Sequence, residues 1–556
     1  MASSGAATTQ RRLCATMADK TKMESPTSPT EANENQLAEL GRAESSASDR
    51  DVAALKERTP WKLVISLALA CALSLNWLLP GFYDPSISTG DGAVYLVTAR
   101  SLLEGEGYNY LGEPFTIRPP GFSWMLVPLL WIFGTNYVAL TWCIALFGVL
   151  AVCLLFLYAR PRLGTPLALA VALTLWLNPG FLRSCSQIMS DVPGLALMFG
   201  ALLMERWARK RPSTGTDLRA NLLLGVFIGI SAYVRTLNIF LVPALILGRI
   251  CATWRTGLNG RTLGSFVGIQ LLLPSVIAFG CLVPWNSYAA GVDKSVPPEH
   301  TLFYSYSVAM WQQDIADPES PKISFDEFSD RVVTRVGDLL HVLGSRVTDR
   351  DDNQTHRALA IIALLIWAAV LVVRRGTGDF LLGGIVLIIS IYFGFMNRLI
   401  VPVYALILIS VAEALRYLFT RCAGAKKSSW ITVALVLSLA VIDFDPSWRW
   451  DQARSRSQQF FKACQAANRR FDAEDTIAAD FGAHFSVELD RPVYTLRWSL
   501  KRGGVPAALD FIKRHSVSSL ILDRSVPSNV KLLNHLENEQ RTIVAQIGPY
   551  ALLNLE

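Results

Sequence analysis

Cysteine is scarce and poorly placed for cross-linking or metal binding. None of the nine in 556 residues stands at ligand spacing, and most fall inside apolar runs, where a thiol packs as a small hydrophobe. Neither a disulfide framework nor a zinc site is indicated. Charge is sparse too: 17% of residues are charged and 51% hydrophobic, a balance that excludes most soluble proteins without making the chain membrane throughout. Large apolar residues are nearly absent from residues 1–58, which are rich in Ser, Thr, Ala, Glu and Lys and bury too little surface to offset the entropy of ordering. That segment reads as a disordered cytoplasmic tail. It lacks a short apolar core followed by a small-residue cleavage site, so the first apolar run, 61–80, is expected to be a retained anchor. No internal repeat is evident. The net charge of +7 gathers in short clusters between apolar runs, the pattern of cytoplasmic loops, and nucleic acid is not an expected partner.

What the chain has in abundance is apolar runs of about span length. After 61–80 they recur at 136–158, 164–182, 192–207, 220–234, 237–252, 264–285, 358–373, 380–396, 399–418 and 429–442. The expected fold is mainly α, a polytopic transmembrane helical bundle of about eleven spans with juxtamembrane helices. The run 121–134 (GFSWMLVPLLWIFG) is short for the roughly 20 residues a crossing needs. Charge decides its status. With an inside amino terminus and eleven crossings, every basic cluster falls on the cytoplasmic side: Lys56, Arg58 and Lys62; Arg160 and Arg162; Arg206, Arg209, Lys210 and Arg211; Arg249 and Arg255; Arg374 and Arg375; Arg416, Arg421, Lys426 and Lys427. A crossing at 121–134 would invert the pattern from Arg160 onward, so that run is read as juxtamembrane.

The count places 81–135, the stretch around 183–191, the turn at 235–238, the loop 286–357 and the tail on the outer side. Three parts follow: a tail, 1–58; a transmembrane domain, 59–442; and a small soluble α/β domain, 443–556, outside the membrane. In the last, DTIAADF, RPVYTL, SSLILD and YALLNL read as short strands, with a helical pattern at 504–515.

The unusual polar residues converge on the outer face. Asp91 opens a helical pattern and by itself reads as an N-cap. Its company points further, to Tyr95 one turn on, Arg118 before Pro119-Pro120-Gly121, and Asp191 in MSDVPG. Asp191 before Val192-Pro193 is equally good chemistry for a helix start. Arg183, Arg235 and Arg398 stand at outer ends of spans, where snorkelling to headgroups is the ordinary explanation. The positive-inside bias disfavours arginine there, and one placed deeper costs about 2.5–3.5 kcal/mol unless paired. An anionic partner resolves that tension.

The order of these elements resembles a known superfamily. An outer-loop Asp, GDGAVY…ARSLLEGEGY, RPPGF, LNPGFL…SDVPG, AYVRTLN and NRLIVPVYALIL, over residues 60–420, are similar to GT-C polytopic glycosyltransferases. The branch resembled groups dolichyl-phosphate-mannose protein mannosyltransferases with bacterial lipid A aminoarabinose transferase. The resemblance implies inverting sugar transfer from a polyprenyl-phosphate-linked donor to a lipid, glycan or protein acceptor on the outer face, in the plasma or inner membrane. Asp91 matches the family's catalytic first-loop acid, and Asp191 the second-loop acid, where glutamate is common. Arg398 matches the arginine of an Arg-aromatic-x-x-Pro pattern expected to hold the donor phosphate, although Leu399 replaces the aromatic residue. Arg118 is a second phosphate candidate, and Tyr95, Arg183 and Arg235 complete the expected substrate-binding set. No metal ligand is assigned: Asp443-Phe444-Asp445 reads as a boundary and His484 as a packing or surface residue, while a divalent cation shared by Asp91 and Asp191 remains the open cofactor reading. A transporter or flippase for an anionic lipid-linked substrate, or a non-catalytic scaffold, are the alternatives.

The charge pattern makes topology testable. Tags within 206–219 or 416–427 are expected to be cytoplasmic, and tags within 286–357 or at the carboxy terminus external, by cysteine-accessibility labelling. External labelling of 206–219 together with an internal carboxy terminus would contradict the arrangement.

Overall fold

The computed structural model describes residues 61–79, 90–209, 216–256, 264, 266–292, 304–315, 317–346, 353–394, 397–423, 425–441 and 447–555. The expected tail, 1–58, and Asp443-Phe444-Asp445 lie outside them.

The described parts of the apolar runs read from the sequence are mostly helical. In chain order the helices are α1 (Trp61–Leu78), α2 (Gly90–Glu104), α3 (Gly121–Phe133), α4 (Tyr137–Leu163), α5 (Thr165–Leu177), α6 (Pro179–Cys185), α7 (Asp191–Arg209) and α8 (Thr216–Val234). A 3-10 turn, Thr236–Phe240, leads into α9 (Leu241–Thr256), and a π-helical stretch, Phe266–Leu272, into α10 (Leu273–Gly291). Then come α11 (Tyr306–Trp311), α12 (Phe325–Ser345), α13 (Asn353–Arg374), α14 (Thr377–Ile391), a 3-10 turn at Asn397–Leu399, α15 (Ile400–Ala423) and α16 (Ala425–Val441).

Length and composition qualify six of these segments to cross a membrane: Trp61–Leu78, Tyr137–Leu163, Thr236–Trp254, Phe266–Gly291, Asn353–Arg374 and Ile400–Cys422. At about 1.5 Å per residue the 27-residue α4 exceeds the hydrocarbon thickness, whereas the 13-residue α3 falls well short of it. Four shorter apolar helices accompany them: Gly121–Phe133, Leu218–Val234, Thr377–Ile391 and Lys427–Leu439.

One run departs from its expected form. The sequence reads 164–182 as one span, but the chain breaks between α5 and α6 with a bend of 64°. Asn178 precedes Pro179, which disfavours the helical region, and it takes an extended conformation at φ −67° and ψ 122°. Its side chain then accepts a hydrogen bond from the Phe181 amide at 3.1 Å, capping the new helix. As one bent span, α5 and α6 bring the candidates to seven.

Between α2 and α3 lies a two-stranded hairpin, β1 (Asn109–Tyr110) and β2 (Glu113–Pro114), paired antiparallel. Its turn, Leu111 at φ 54° and Gly112 at φ 85°, has positive φ at both central residues, the geometry whose twist suits a tight hairpin. Tyr110 and Phe115 are buried beside it, and Tyr108 meets Phe115 and Trp285 edge-on, with ring centroids 5.6 and 5.9 Å apart. The hairpin thus returns the chain to Arg118 on an aromatic anchor.

The carboxy-terminal part forms a five-stranded mixed sheet. After α17 (Ser447–Arg470) come β3 (Ile477–Ala479), α18 (Gly482–Leu489), β4 (Val493–Thr495), α19 (Arg497–Arg514), β5 (Ser519–Asp523), α20 (Pro527–Asn538), β6 (Ile543–Ile547) and β7 (Tyr550–Asn554). The order is β4-β3-β5-β7-β6, with β4, β3 and β5 parallel and β7 antiparallel to both β5 and β6. The four strands expected from the sequence are present, and β6 is additional. Alternation sends Leu520, Leu522 and Leu553 into one apolar cluster and Ile521 and Leu552 into another, so the sheet is covered on both faces. His484 is buried, on the packing side of its two readings.

This layer is fastened to α2, the helix that carries Asp91 in its first turn. Ala483 and Val487 of α18 join the main helical core. Arg100 of α2 donates to the Val487 carbonyl at 3.2 Å and pairs with Asp490. On the other flank of the same helix, Gly121 lets α3 close on the end of α8: a Cβ there would lie 2.5 Å from the Tyr233 carbonyl carbon. Because the obstacle is backbone, Gly121→Ala is expected to cost about 1–3 kcal/mol. A lowered thermal midpoint in a detergent melt would show this; an unchanged midpoint would contradict the close approach.

Candidate active site

Five segments remote in sequence bring their polar residues together. Asp91 and Asp191 each stand in the first turn of a helix, α2 and α7. Arg118 precedes Pro119-Pro120 ahead of α3, its carbonyl accepting a hydrogen bond from the Tyr108 hydroxyl at 3.1 Å. Arg235 takes an extended conformation between α8 and the 3-10 turn, and Arg398 lies in the turn that leads into α15.

Their side chains form one buried cluster. Arg118 Nη2 donates to Asp91 Oδ1 at 2.5 Å, and Arg398 Nη2 donates to the other oxygen, Oδ2. Arg398 Nη1 is also 3.9 Å from Asp191 Oδ2, whose partner oxygen is 2.7 Å from Arg235 Nη2. Arg235 further donates to the Ser190 hydroxyl at 3.3 Å, and Tyr95 reaches that hydroxyl at 3.4 Å while its ring lies 5.6 Å from the Arg118 guanidinium. Asp91 is 3% exposed and Asp191 7%. Burial pushes the Asp91 carboxyl up, but Arg118 and Arg398 outweigh it and hold the group well below the usual carboxylate range. Among these groups three guanidiniums face two carboxylates, leaving one positive charge over.

A cavity of 260 Å³ opens on the cluster. Asp91, Tyr95, Arg118, Ser190, Arg235 and Arg398 form its polar end, and Val234, Leu237, Ile239, Phe240, Ile388 and Ile389 line much of the remainder. Tyr306, Met310 and Tyr392 also contribute. α12 holds these last in place: Arg331 donates to the Met310 carbonyl at 2.7 Å and Arg335 to the Phe393 carbonyl at 3.1 Å. A charged end and an apolar wall suit an anionic headgroup on a hydrocarbon chain.

Of the residues singled out in the sequence, Asp91, Tyr95, Arg118, Arg235 and Arg398 line the cavity, and Asp191 stands directly behind it. Arg183 does not join them. It is exposed on α6, whose direction is set by the break at Asn178. Ser190, Tyr233, Tyr306 and Tyr392 were missed; Ser190 alone had a sequence signal, its place beside Asp191.

Among the described residues no group of three or more His, Cys, Asp or Glu side chains is placed to hold a metal ion. The Asp91 and Asp191 oxygens are turned to guanidiniums, and a divalent cation between them would face three arginines. The donor set as arranged fits an anion.

Comparison with known proteins gives one family match and a set of likenesses in fold. Residues 117–285 match the family described as dolichyl-phosphate-mannose-protein mannosyltransferase. No curated protein sequence matches the chain significantly. The family match covers less than half of the chain, and the rest of the likeness is to the folds of solved structures. In particular the chain is similar to ArnT from Cupriavidus metallidurans bound to undecaprenyl phosphate, at 14% identity and a TM-score of 0.52 over 89% of this chain and 98% of that one. It is also similar to the oligosaccharyltransferase AglB from Archaeoglobus fulgidus in complex with an inhibitory peptide and a dolichol-phosphate, at 14% identity and a TM-score of 0.51 over 90% and 75% of the two chains. An Archaeoglobus fulgidus oligosaccharyltransferase in complex with Zn and sulfate matches at 14% identity and a TM-score of 0.50, over 83% of this chain and 67% of that one. At such identities the likeness is one of fold.

The Asp91 pairing has a pH signature. A carboxyl whose folded pKa is depressed stabilises the fold above its unfolded value of about 3.9, and that contribution is lost as pH falls toward the folded value. Thermal midpoints are therefore expected to hold down to about pH 4. Arg118→Leu removes one partner and brings the folded pKa of Asp91 back toward the unfolded value, so the variant, less stable near neutrality, is expected to lose less of its midpoint below about pH 4. Superimposable profiles of midpoint against pH would contradict the pairing.

Proposed function

We propose that the protein transfers a sugar from a polyprenyl-phosphate donor to an acceptor hydroxyl on the outer face of the membrane, with inversion at the anomeric carbon. The observation that carries this reading is the buried set of two acids and three arginines at the polar end of an otherwise apolar cavity. Burying such charges costs several kcal/mol per ion, and ion pairs rarely return more than apolar packing would, so stability alone is a poor reason to keep them. One surplus positive charge suits the single negative charge of a phosphodiester, with the prenyl chain against Phe240, Ile388 and Ile389.

In the reaction the acceptor oxygen forms a bond to the anomeric carbon as the bond from that carbon to the phosphate oxygen breaks. The acceptor proton passes to Asp91, and the polyprenyl phosphate leaves with the bonding electrons, its added charge met by Arg398 and Arg118. Asp191 keeps Arg235 and the outer reach of Arg398 in position. The cation pattern supports eleven crossings, an inside amino terminus and an outer site, with 59–442 as the transferase domain and 443–556 as an outer domain bracing α2. Complexes of undecaprenyl phosphate with ArnT and of dolichol-phosphate with AglB support the donor class. A transporter would be expected to place its site on a broken helix. The broken helix here, α5–α6, contributes nothing to the cavity lining.

The test is turnover by the purified full-length protein with a panel of labelled polyprenyl-phosphate sugars. Asp91→Asn removes the proton acceptor while keeping its size, and turnover is expected to fall about 10²-fold or more. Arg398→Leu should weaken donor binding by about 1.5–3 kcal/mol, the worth of a charge-assisted contact. Full turnover in Asp91→Asn would contradict the mechanism.

A further inference from the structure

As arranged, Asp91 is a poor proton acceptor. Arg118 donates to one of its oxygens at 2.5 Å and Arg398 to the other, so each oxygen already holds a charge-assisted hydrogen bond that lowers its affinity for a proton. The same guanidiniums are the phosphate ligands of the proposed function. Their donors are finite and fixed in direction, and the bonds made to Asp91 are not at the same time available to a phosphate.

We propose that the donor phosphate competes with Asp91 for Arg398 and Arg118, so that the base is masked in the empty enzyme and released by the donor itself. This rests on the donor reading given above and deepens it. The surroundings favour an exchange of partners over a collapse of the site. Arg398 keeps a second anchor in Asp191 Oδ2 at 3.9 Å, and Asp191 is independently held by Arg235 at 2.7 Å. Arg118 remains beside the Tyr95 ring with its carbonyl fixed by Tyr108. Once a phosphodiester enters, three negative groups face three guanidiniums. Asp91 is then the carboxylate whose partners have been shared out, and its freed oxygen faces the cavity that the sugar occupies. Donor binding thereby precedes productive acceptor binding, and an acceptor hydroxyl arriving first meets an engaged carboxylate. When the phosphate product departs, the two arginines return to Asp91.

The experiment measures equilibrium binding of undecaprenyl phosphate, and of the uncharged polyprenol as control, to the purified full-length protein in nanodiscs. Competition gives a result opposite to that usual for a site residue: Asp91→Asn should bind undecaprenyl phosphate about tenfold or more tightly than wild type, with polyprenol unchanged. Asp191→Asn removes the same charge from the same cluster but leaves both Asp91 contacts in place, and should tighten binding by less than about threefold. Asp91→Ser, which also removes the carboxylate, stands in if the Asn variant does not fold. Asp91 variants that bind no better than wild type, or an equal gain in Asp191→Asn, would overturn the competition and leave only a general field effect. Undiminished binding in Arg398→Leu would overturn the phosphate site itself, so the two failures are distinguishable.

Discussion

The carboxylate of Asp91, held between Arg118 and Arg398, is the contact on which the remaining structure converges. Each partner arrives by a different route. Asp91 depends on α2, which is gripped from the carboxy-terminal layer through Arg100 and Val487. Arg118 depends on the hairpin whose Leu111-Gly112 turn folds the chain back, and Arg398 on the short turn before α15. A buried charge set of this kind is costly to assemble and strongly destabilising to leave half-made, which explains why so much packing, from Gly121 against Tyr233 to the α18 face on α2, is committed to fixing its members.

Much of this was legible in the sequence because its physical signals are local. Apolar runs announce helices wherever they occur, and basic clusters order them. Asp91, Arg118, Asp191, Arg235 and Arg398 stood out because a charge beside an apolar run needs a partner. What escaped notice depended on less local facts. Asn178-Pro179-Gly180 was absorbed into a hydrophobic average, although a residue before proline resists helix, and the resulting break carries Arg183 to an exposed place. The hairpin was hidden because Leu111 fills a turn position that usually advertises itself with Asn or Asp. β6 was missed because its residues are only partly buried at a sheet edge, beyond β7, and so carry no strong apolar run. Tyr306 and Tyr392 line the cavity from segments whose neighbours α12 holds, a tertiary relation with no sequence spacing.

The proposed mechanism joins binding to chemistry through shared atoms. A positive surplus that receives a phosphate and a carboxylate that receives a proton are ordinarily described as separate parts of an active site. In the proposed mechanism they share the same guanidinium donors, so the empty protein would disfavour base catalysis and the donor complex would favour it. The apolar wall adds selectivity, since a small anion without a hydrocarbon chain gains only the charge contacts.

The most direct measurement is an experimental structure with a polyprenyl phosphate bound. Phosphate oxygens are expected within hydrogen-bond distance of the Arg118 and Arg398 guanidiniums, with Asp91 turned from at least one of them and the first prenyl units along Phe240, Ile388 and Ile389. A phosphate bound elsewhere, with both Asp91 pairs intact, would contradict the proposed mechanism.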